Sequence, residues 1–294
     1  MTADALHHRT LWSQIGDLPH TVEFPVIDGV RTRVLRLGEG PSTIVMMAGT
    51  SGHLEAFTHN LRALAERHAI IAYDYPGHGW STLVEGGTLE IPDYTRHLLA
   101  LLDHYGLERP HLLGESLGGW IALKVGRQHP ERFASLVLSA PGGRMVGRAK
   151  VGRAQSVSAD AVAHPTYDNI KARLNVVIHD PEAISDELIA IRQAVYSRPG
   201  FAASMKAIAA LQNPEIRQRN AVTDDDYAAQ TLPVLVVWTD HEPSGDPEDG
   251  RRLAGLAPRG EFVLVTNAAH WPQWEDPTTF NAAVLDFLER VDAA

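Results

Sequence analysis

The sequence predicts an α/β protein: a mostly parallel sheet covered by helices on both faces, interrupted once by a helical insertion. Three observations carry this. Short, continuously apolar runs such as 43–48, 69–73 and 232–238 alternate with segments of helical spacing, the signature of strands buried on both faces. Gly114-Glu115-Ser116-Leu117-Gly118 lies between such a run and a helical segment, the setting of a nucleophile elbow. The alternation stops at Pro141-Gly142-Gly143 and returns near 232, so the chain divides into a first core part (1–143), a helical lid (144–220) and a second core part (221–294).

From Val22 to Leu37, two β-like runs flank Asp28-Gly29, a hairpin turn signal, and predict an antiparallel edge that opens the sheet. The run 43–48 ends in the loop Gly49-Thr50-Ser51-Gly52, and Leu54, Phe57, Leu61 and Leu64 space out a helix over 54–67. A strand at 69–73 leads into a turn-rich loop, 74–81. A helix over 93–105 precedes the strand before the elbow, a helix over 116–129 follows it, and a strand over 133–139 closes this half. Within the insertion, 186–196 and 201–211 carry the clearest helical patterns. A strand at 232–238, a helix near 248–256, a strand at 261–266 and a helix over 276–291 complete the chain. There is no internal repeat.

Acidic and basic residues number 36 and 26, a formal net charge of -10, which argues against a nucleic-acid surface. The absence of cysteine excludes disulfides and thiolate chemistry and fits a cytoplasmic protein. Met1 to Trp12 has no apolar h-region and no apolar run reaches 18 residues, so neither signal peptide nor membrane span is expected. His7 and His8 read as a solvated tail. An acidic chain with an exposed edge strand is compatible with a homodimer.

A serine at position 116 sits at the tip of a turn too sharp for side chains two residues before and after it, and Gly114 and Gly118 supply that room. A serine hydroxyl is a poor nucleophile at neutral pH and needs a base, which in turn needs an orienting acid. In strand–elbow–helix proteins the order along the chain is serine, acid, histidine. His270, in the loop after the last strand, is the expected base. Spacing leaves the acid open between Asp240 and Glu242, both in the loop after 232–238. The Leu117 amide at the helix start and the Thr50 amide, with Ser51 as its neighbour, are the expected oxyanion donors. His53, His59 and His78 lack metal spacing, and Gly49 to Gly52 lacks the Gly-Lys-Ser/Thr ending of a phosphate loop, so neither metal nor cofactor is expected.

Over nearly its full length the chain resembles the α/β-hydrolase superfamily. Within it the chain is similar to the meta-cleavage-product hydrolases, which cut a carbon-carbon bond in 2-hydroxy-6-oxohexa-2,4-dienoate-type ring-fission products. The residues that carry this are 114–120 (Gly-Glu-Ser-Leu-Gly-Gly-Trp), 270–277 (His-Trp-Pro-Gln-Trp-Glu-Asp-Pro) with Phe280-Asn281, and 191–199 in the lid. The resemblance implies an α/β-hydrolase fold with an eight-stranded sheet, a small-molecule substrate and cofactor-free chemistry. It places the nucleophile on Ser116 and the base on His270. It puts the acid on Glu242, four residues after Trp238, with Asp240 as the alternative. A lid arginine that grips the substrate's carboxylate and 2-oxo end matches Arg192, and Trp271 would wall the pocket. The chain departs from the family pattern in having Ala48-Gly49 where His-Gly is usual, and Glu115 where several carbon-carbon hydrolases have asparagine. A carboxylesterase or lactonase is the alternative activity, and a ligand-binding protein with vestigial catalysis is a third reading.

Overall fold

The computed structural model describes residues 10–145 and 152–294; the His7-His8 tail lies outside them. Among the described residues the strands are β1 (His20–Glu23), β2 (Val26–Ile27), β3 (Val30–Arg31), β4 (Val34–Leu37), β5 (Thr43–Met47), β6 (Ala69–Tyr73), β7 (His111–Glu115), β8 (Leu136–Ser139), β9 (Val234–Thr239) and β10 (Gly260–Val265). Eight of them form one sheet in the order β1-β4-β6-β5-β7-β8-β9-β10. Strand β4 runs antiparallel to both its neighbours, and every pairing from β6 to β10 is parallel.

Asp28 and Gly29 do form a tight turn, with φ of 48° and 75°, the doubly left-handed geometry that suits a two-residue hairpin. It joins β2 and β3 into a separate ribbon, however, and the edge of the main sheet is β1 paired with β4.

Side chains alternate across the sheet. Ile44, Met46, Leu113, Leu235 and Val237 enter one apolar layer, and Val45, Met47, Leu112, Val234 and Val236 enter the other. This is why the central strands read as unbroken apolar runs. Burying each such side chain contributes roughly 1.5–3 kcal/mol. The helices are α1 (Leu11–Ile15), α2 (Leu61–Ala65), α3 (Ile91–His104), α4 (Leu117–Gln128), α5 (Gly152–Ala163), α6 (Tyr167–Leu174), α7 (Asp186–Tyr196), α8 (Phe201–Ile208), α9 (Pro214–Asn220), α10 (Asp224–Ala228), α11 (Pro247–Leu256), α12 (Pro272–Glu275) and α13 (Pro277–Asp292).

The helix expected over 54–67 is broken: a 3-10 turn at Leu54–Phe57 precedes α2. Thr58 donates its hydroxyl to the Glu55 carbonyl at 2.8 Å, and the Asn60 amide donates to Gln273 and Asn281. Such side-chain bonds compete with a continuous helix. Between β8 and β9 the described residues are helical and contain no strand, and helix continues through α10, past residue 220. Helix α7 starts at Ser185, whose hydroxyl accepts the Leu188 amide, with Asp186 and Glu187 in its first turn. Its buried face is Leu188, Ile189, Arg192, Val195 and Tyr196, so an arginine stands where the helical period calls for a hydrophobe.

Candidate active site

Ser116 joins β7 directly to α4 with φ 52° and ψ -106°. A left-handed serine costs on the order of 1–3 kcal/mol unless its surroundings hold it. They do: the Ser116 amide donates to the Ser139 carbonyl at 2.9 Å, and the Ser116 carbonyl accepts from Trp120 and Gly142 at 3.0 and 2.9 Å. A Cβ on Gly114 would strike the Gly118 backbone, and one on Gly118 would strike the Met47 carbonyl. Ser51, Ala140 and Asn267 also have positive φ. With Ser116 they follow the C-terminal ends of β5, β8, β10 and β7, so local strain gathers at one edge of the sheet.

The loop after β9 positions the loop after β10. Asp240 accepts from the Asn267 amide at 2.9 Å and the Ala268 amide at 3.2 Å, which holds its carboxyl below the usual range against the opposing pull of burial. Thr239 donates to the Ala269 carbonyl at 2.6 Å, and the His241 amide to the Ala268 carbonyl at 3.1 Å. Glu275 accepts the Ala269 amide at 2.8 Å from the other side, and burial pushes its carboxyl up to about 7. His270 is thereby fixed, and its Nδ1 lies 2.8 Å from Glu242 Oε2. Asp240 braces the loop, and the carboxylate at the imidazole is that of Glu242.

Glu242 is buried, and its second oxygen accepts the Ser244 amide at 2.9 Å. Burial raises its pKa, but the His270 ring and these hydrogen bonds bring it below the ordinary value. Burial depresses His270 in turn, and the Glu242 and Glu115 carboxylates outweigh it, raising the imidazole to about 9. His270 Nε2 faces Glu115 Oε1 at 3.4 Å, and the ring keeps 16 % of its side-chain surface exposed. Ser116, the residue after Glu115, is half-buried and makes no hydrogen bond to the ring. Catalytic hydrogen bonds of this kind are commonly long in ligand-free enzymes and tighten when substrate arrives.

Above this edge lie two arginines of the insertion. Arg192 is 1 % exposed, its Nε and Nη2 have no hydrogen-bond partner, and its guanidinium lies 5.4 Å from the Trp271 ring and 5.8 Å from the Tyr196 ring. Trp271 itself is buried. Arg173 of α6 also has buried Nε and Nη1 without partners, and burial lowers its pKa, with Tyr196 and Glu115 opposing and Arg192 adding to the fall. The Tyr196 hydroxyl donates to Ser51 Oγ at 2.9 Å, tying the insertion to the loop after β5. Leu117 opens α4, so its amide is among the first-turn N–H groups that have no partner inside a helix. Thr50 is half-buried in the loop after β5. The insertion also reaches His270 through its backbone, whose amide donates to the Val177 carbonyl at 2.9 Å.

Among the described residues His68, His111 and Asp292 bring possible metal-ligand atoms within 4.8 Å of one another. His111 begins β7, so this group sits at the opposite end of the sheet, about 13 Å down the strand from Glu115. Hydrogen bonds already join it: His111 Nε2 to Asp292 at 2.9 Å, and Ser42 Oγ to His68 Nδ1 and Asp292 at 2.8 and 2.7 Å. It fastens the end of α13 to the sheet.

The profile of the alpha/beta hydrolase family matches residues 44–283. The chain is an alpha/beta hydrolase. Among its relatives, the hydrolase is 31% identical over 275 residues to a 2-hydroxy-6-oxononadienedioate/2-hydroxy-6-oxononatrienedioate hydrolase of Paraburkholderia phymatum, covering 88% of each chain. It is 30% identical over 264 residues to hydrolase 2 of the same description from Pseudomonas putida, covering 86% of this chain and 90% of the relative. The fold is shared with the 2-hydroxy-6-oxo-6-phenylhexa-2,4-dienoate hydrolase of Rhodococcus sp. strain RHA1, with a TM-score of 0.80 at 19% identity over 92% of this chain and 99% of the other.

Of two charged residues beside the hydrolase's site, the sequence marks Glu115 only as a departure from the family pattern, with no role, and does not mark Arg173 at all. Glu115 occupies a free position of the Gly-x-Ser-x-Gly pattern, yet it is the one charge in a strand buried at every position. Arg173 falls between Ile170 and Leu174, both buried, so helical spacing alone turns it toward the core.

Proposed function

We propose that this hydrolase cleaves a carbon-carbon bond in a vinylogous 1,5-diketone ring-fission product of aromatic degradation. Ser116 is the nucleophile, His270 its base and Glu242 the acid that orients the imidazole. The observation that carries this reading is Arg192. A guanidinium buried with unpartnered N–H groups costs several kcal/mol, and an anionic substrate end seated against it offsets that cost. A planar fork suits the carboxylate and adjacent 2-oxo oxygen of a 2-oxo acid, and relatives at about 30% identity are named for dienedioate substrates.

In the proposed sequence Arg192 and the Trp271 wall hold the carboxylate end, and the 2-hydroxydiene ketonises to give an electron sink. Ser116 gives its proton to His270 Nε2 and attacks the distal ketone, whose oxyanion takes the Leu117 and Thr50 amides, with Ser51 shaping that loop. The carbon-carbon bond then breaks towards the ketonised half, which leaves as a 2-hydroxypentadienoate after taking the proton from His270. Water, activated by the same histidine, frees the acyl group from Ser116. The test is loss of the dienoate chromophore set against turnover of p-nitrophenyl esters. Dienoate kcat/KM exceeding that for esters by at least about 100-fold supports the reading, and the reverse order makes this a carboxylesterase or lactonase.

A further inference from the structure

The mechanism leaves one buried group beside the reacting atoms unused. Glu115 shares its side of β7 with Leu113 and looks toward the insertion rather than into the opposite layer. It is 1 % exposed, and neither carboxyl oxygen makes a hydrogen bond of regular geometry. The Gly49 main chain presses so close that a Cβ there would collide with the carboxyl. His270 Nε2, the atom that must accept the serine proton, stands 3.4 Å from Glu115 Oε1. Two carboxylates therefore flank one imidazole, Glu242 on Nδ1 and Glu115 on Nε2.

We infer that Glu115 is a positioning residue that holds the Nε2 proton of His270, so that the imidazole can serve Ser116 as a base only after that proton has been given up, either to the Glu115 carboxyl or to water. With the proton on nitrogen, the imidazolium Nε2 faces the Glu115 carboxylate at 3.4 Å and has no lone pair for the serine. When it moves to Oε1, the pair keeps its net charge, Nε2 gains a free lone pair, and the Ser116 hydroxyl donates to it. The groups facing this pair set the balance. Glu242, from the loop after β9, holds positive charge on the ring, while Arg173 of α6 opposes it. Burial pushes Glu115 up to about 7, against the pull of His270, the Gly49 amide and Arg192 of α7, with Glu242 adding to the rise. The Tyr196 hydroxyl is turned to Ser51. Two groups of opposite kind are thus brought within reach of one shared proton near neutrality.

The inference rests on Ser116 and His270 being the reacting pair, but not on the identity of the substrate. The test is accordingly the pH dependence of Ser116 labelling by a fluorophosphonate, in the full-length protein, the Glu115→Gln variant and a Ser116→Ala control. Glutamine keeps the shape and cannot hold the proton as a carboxylate, so the pH of half-maximal labelling rate falls by about 1–2 units in Glu115→Gln, and labelling at pH 7 quickens about 10-fold. Glu115→Asn shifts it in the same direction. An unchanged or slowed profile in both variants overturns the inference while leaving the catalytic pair intact. Labelling that persists in Ser116→Ala overturns the pair itself. In wild-type protein, the 15N resonances of the His270 ring provide a readout that needs no variant at position 115. Loss of the imidazolium signal above pH 8 supports the shared proton, and a midpoint near 6.5 refutes it.

Discussion

Two clusters of buried charge lie close together at the sheet edge and solve the same problem in opposite ways. In the first, Arg33 of the β3–β4 turn meets Glu55 and Asp74, His53 Nδ1 lies 2.9 Å from Glu55, and Asp74 takes the amides of Leu54 and Trp80, each at 2.8 Å. Burial works against the Arg33 cation, yet Asp74 and Glu55 leave its pKa raised. In the second, Arg192 and Arg173 carry nitrogen atoms with no hydrogen-bond partner, Glu115 makes no regular hydrogen bond and faces only the His270 ring at 3.4 Å, and Arg173 is left with a lowered pKa. The contrast teaches which burial is structural. In the first cluster the guanidinium pairs with both carboxylates, only His53 Nε2 being left without a hydrogen bond, and together they pin the loops after β5 and β6. The second keeps guanidinium N–H groups without hydrogen-bond partners in the folded chain, the pattern expected of a site whose missing partner is a ligand.

The largest way to break the comparison is at the proposed nucleophile. Ser116→Ala removes the hydroxyl proposed to attack the substrate and nothing that either cluster leans on. Turnover of the dienoate substrate falls by about four to six orders of magnitude, while its dissociation constant, read by equilibrium titration, changes by less than about 10-fold. Equal loss of binding would mean that the serine is part of the anion site.

The next pair of substitutions sets the clusters against each other. Glu55→Gln strips Arg33 of its nearest carboxylate and costs about 3–5 kcal/mol of stability in urea unfolding. Arg192→Met removes a buried cation whose Nε and Nη2 have no hydrogen-bond partner, so unfolding stability stays level or rises, whereas kcat/KM for the dienoate drops about 100- to 1000-fold. The comparison fails if Arg192→Met destabilises as much as Glu55→Gln, because the arginine would then be a structural element.

These clusters also mark where the sequence was legible. Periodicity located the parallel strands, since burial on both faces leaves continuous apolar runs, and the spacing of Gly114 and Gly118 located the elbow, since only a missing Cβ lets β7 and α4 approach. Position along the chain located His270. It did not choose between Asp240 and Glu242, two residues apart in one loop, because the choice depends on which carboxylate the Asn267 and Ala268 amides occupy. The Asp28-Gly29 signal predicts its turn correctly but misplaces the hairpin on the edge of the main sheet, where β1 and β4 pair instead, as a hairpin motif says nothing of which sheet it joins. The place of Glu115 and Arg173 at the site is illegible for a related reason: each is an ordinary charged residue until the fold withdraws it from water.

The smallest effect sharpens the same distinction through pH. Burial lifts the Glu115 pKa in the folded state to about 7 from its ordinary 4.5. A carboxyl whose folded pKa is raised binds its proton more tightly in the native state, so its contribution to stability is fully present below about 4.5 and is lost as pH rises through about 7. Removing the ionisable group should therefore help most above that window. Glu115→Gln is expected to exceed wild type by about 1–2 kcal/mol in urea unfolding at pH 8, with the gap closing by pH 4.5. A carboxylate held by structural partners, as Glu55 is, behaves the other way: its pKa is depressed to about 2 from 4.5, so its contribution to stability is fully present above about 4.5 and is lost as pH falls through about 2. If Glu115→Gln instead loses stability at pH 8, the charge pair with the His270 ring outweighs the cost of burying the carboxylate, and position 115 belongs with the first cluster.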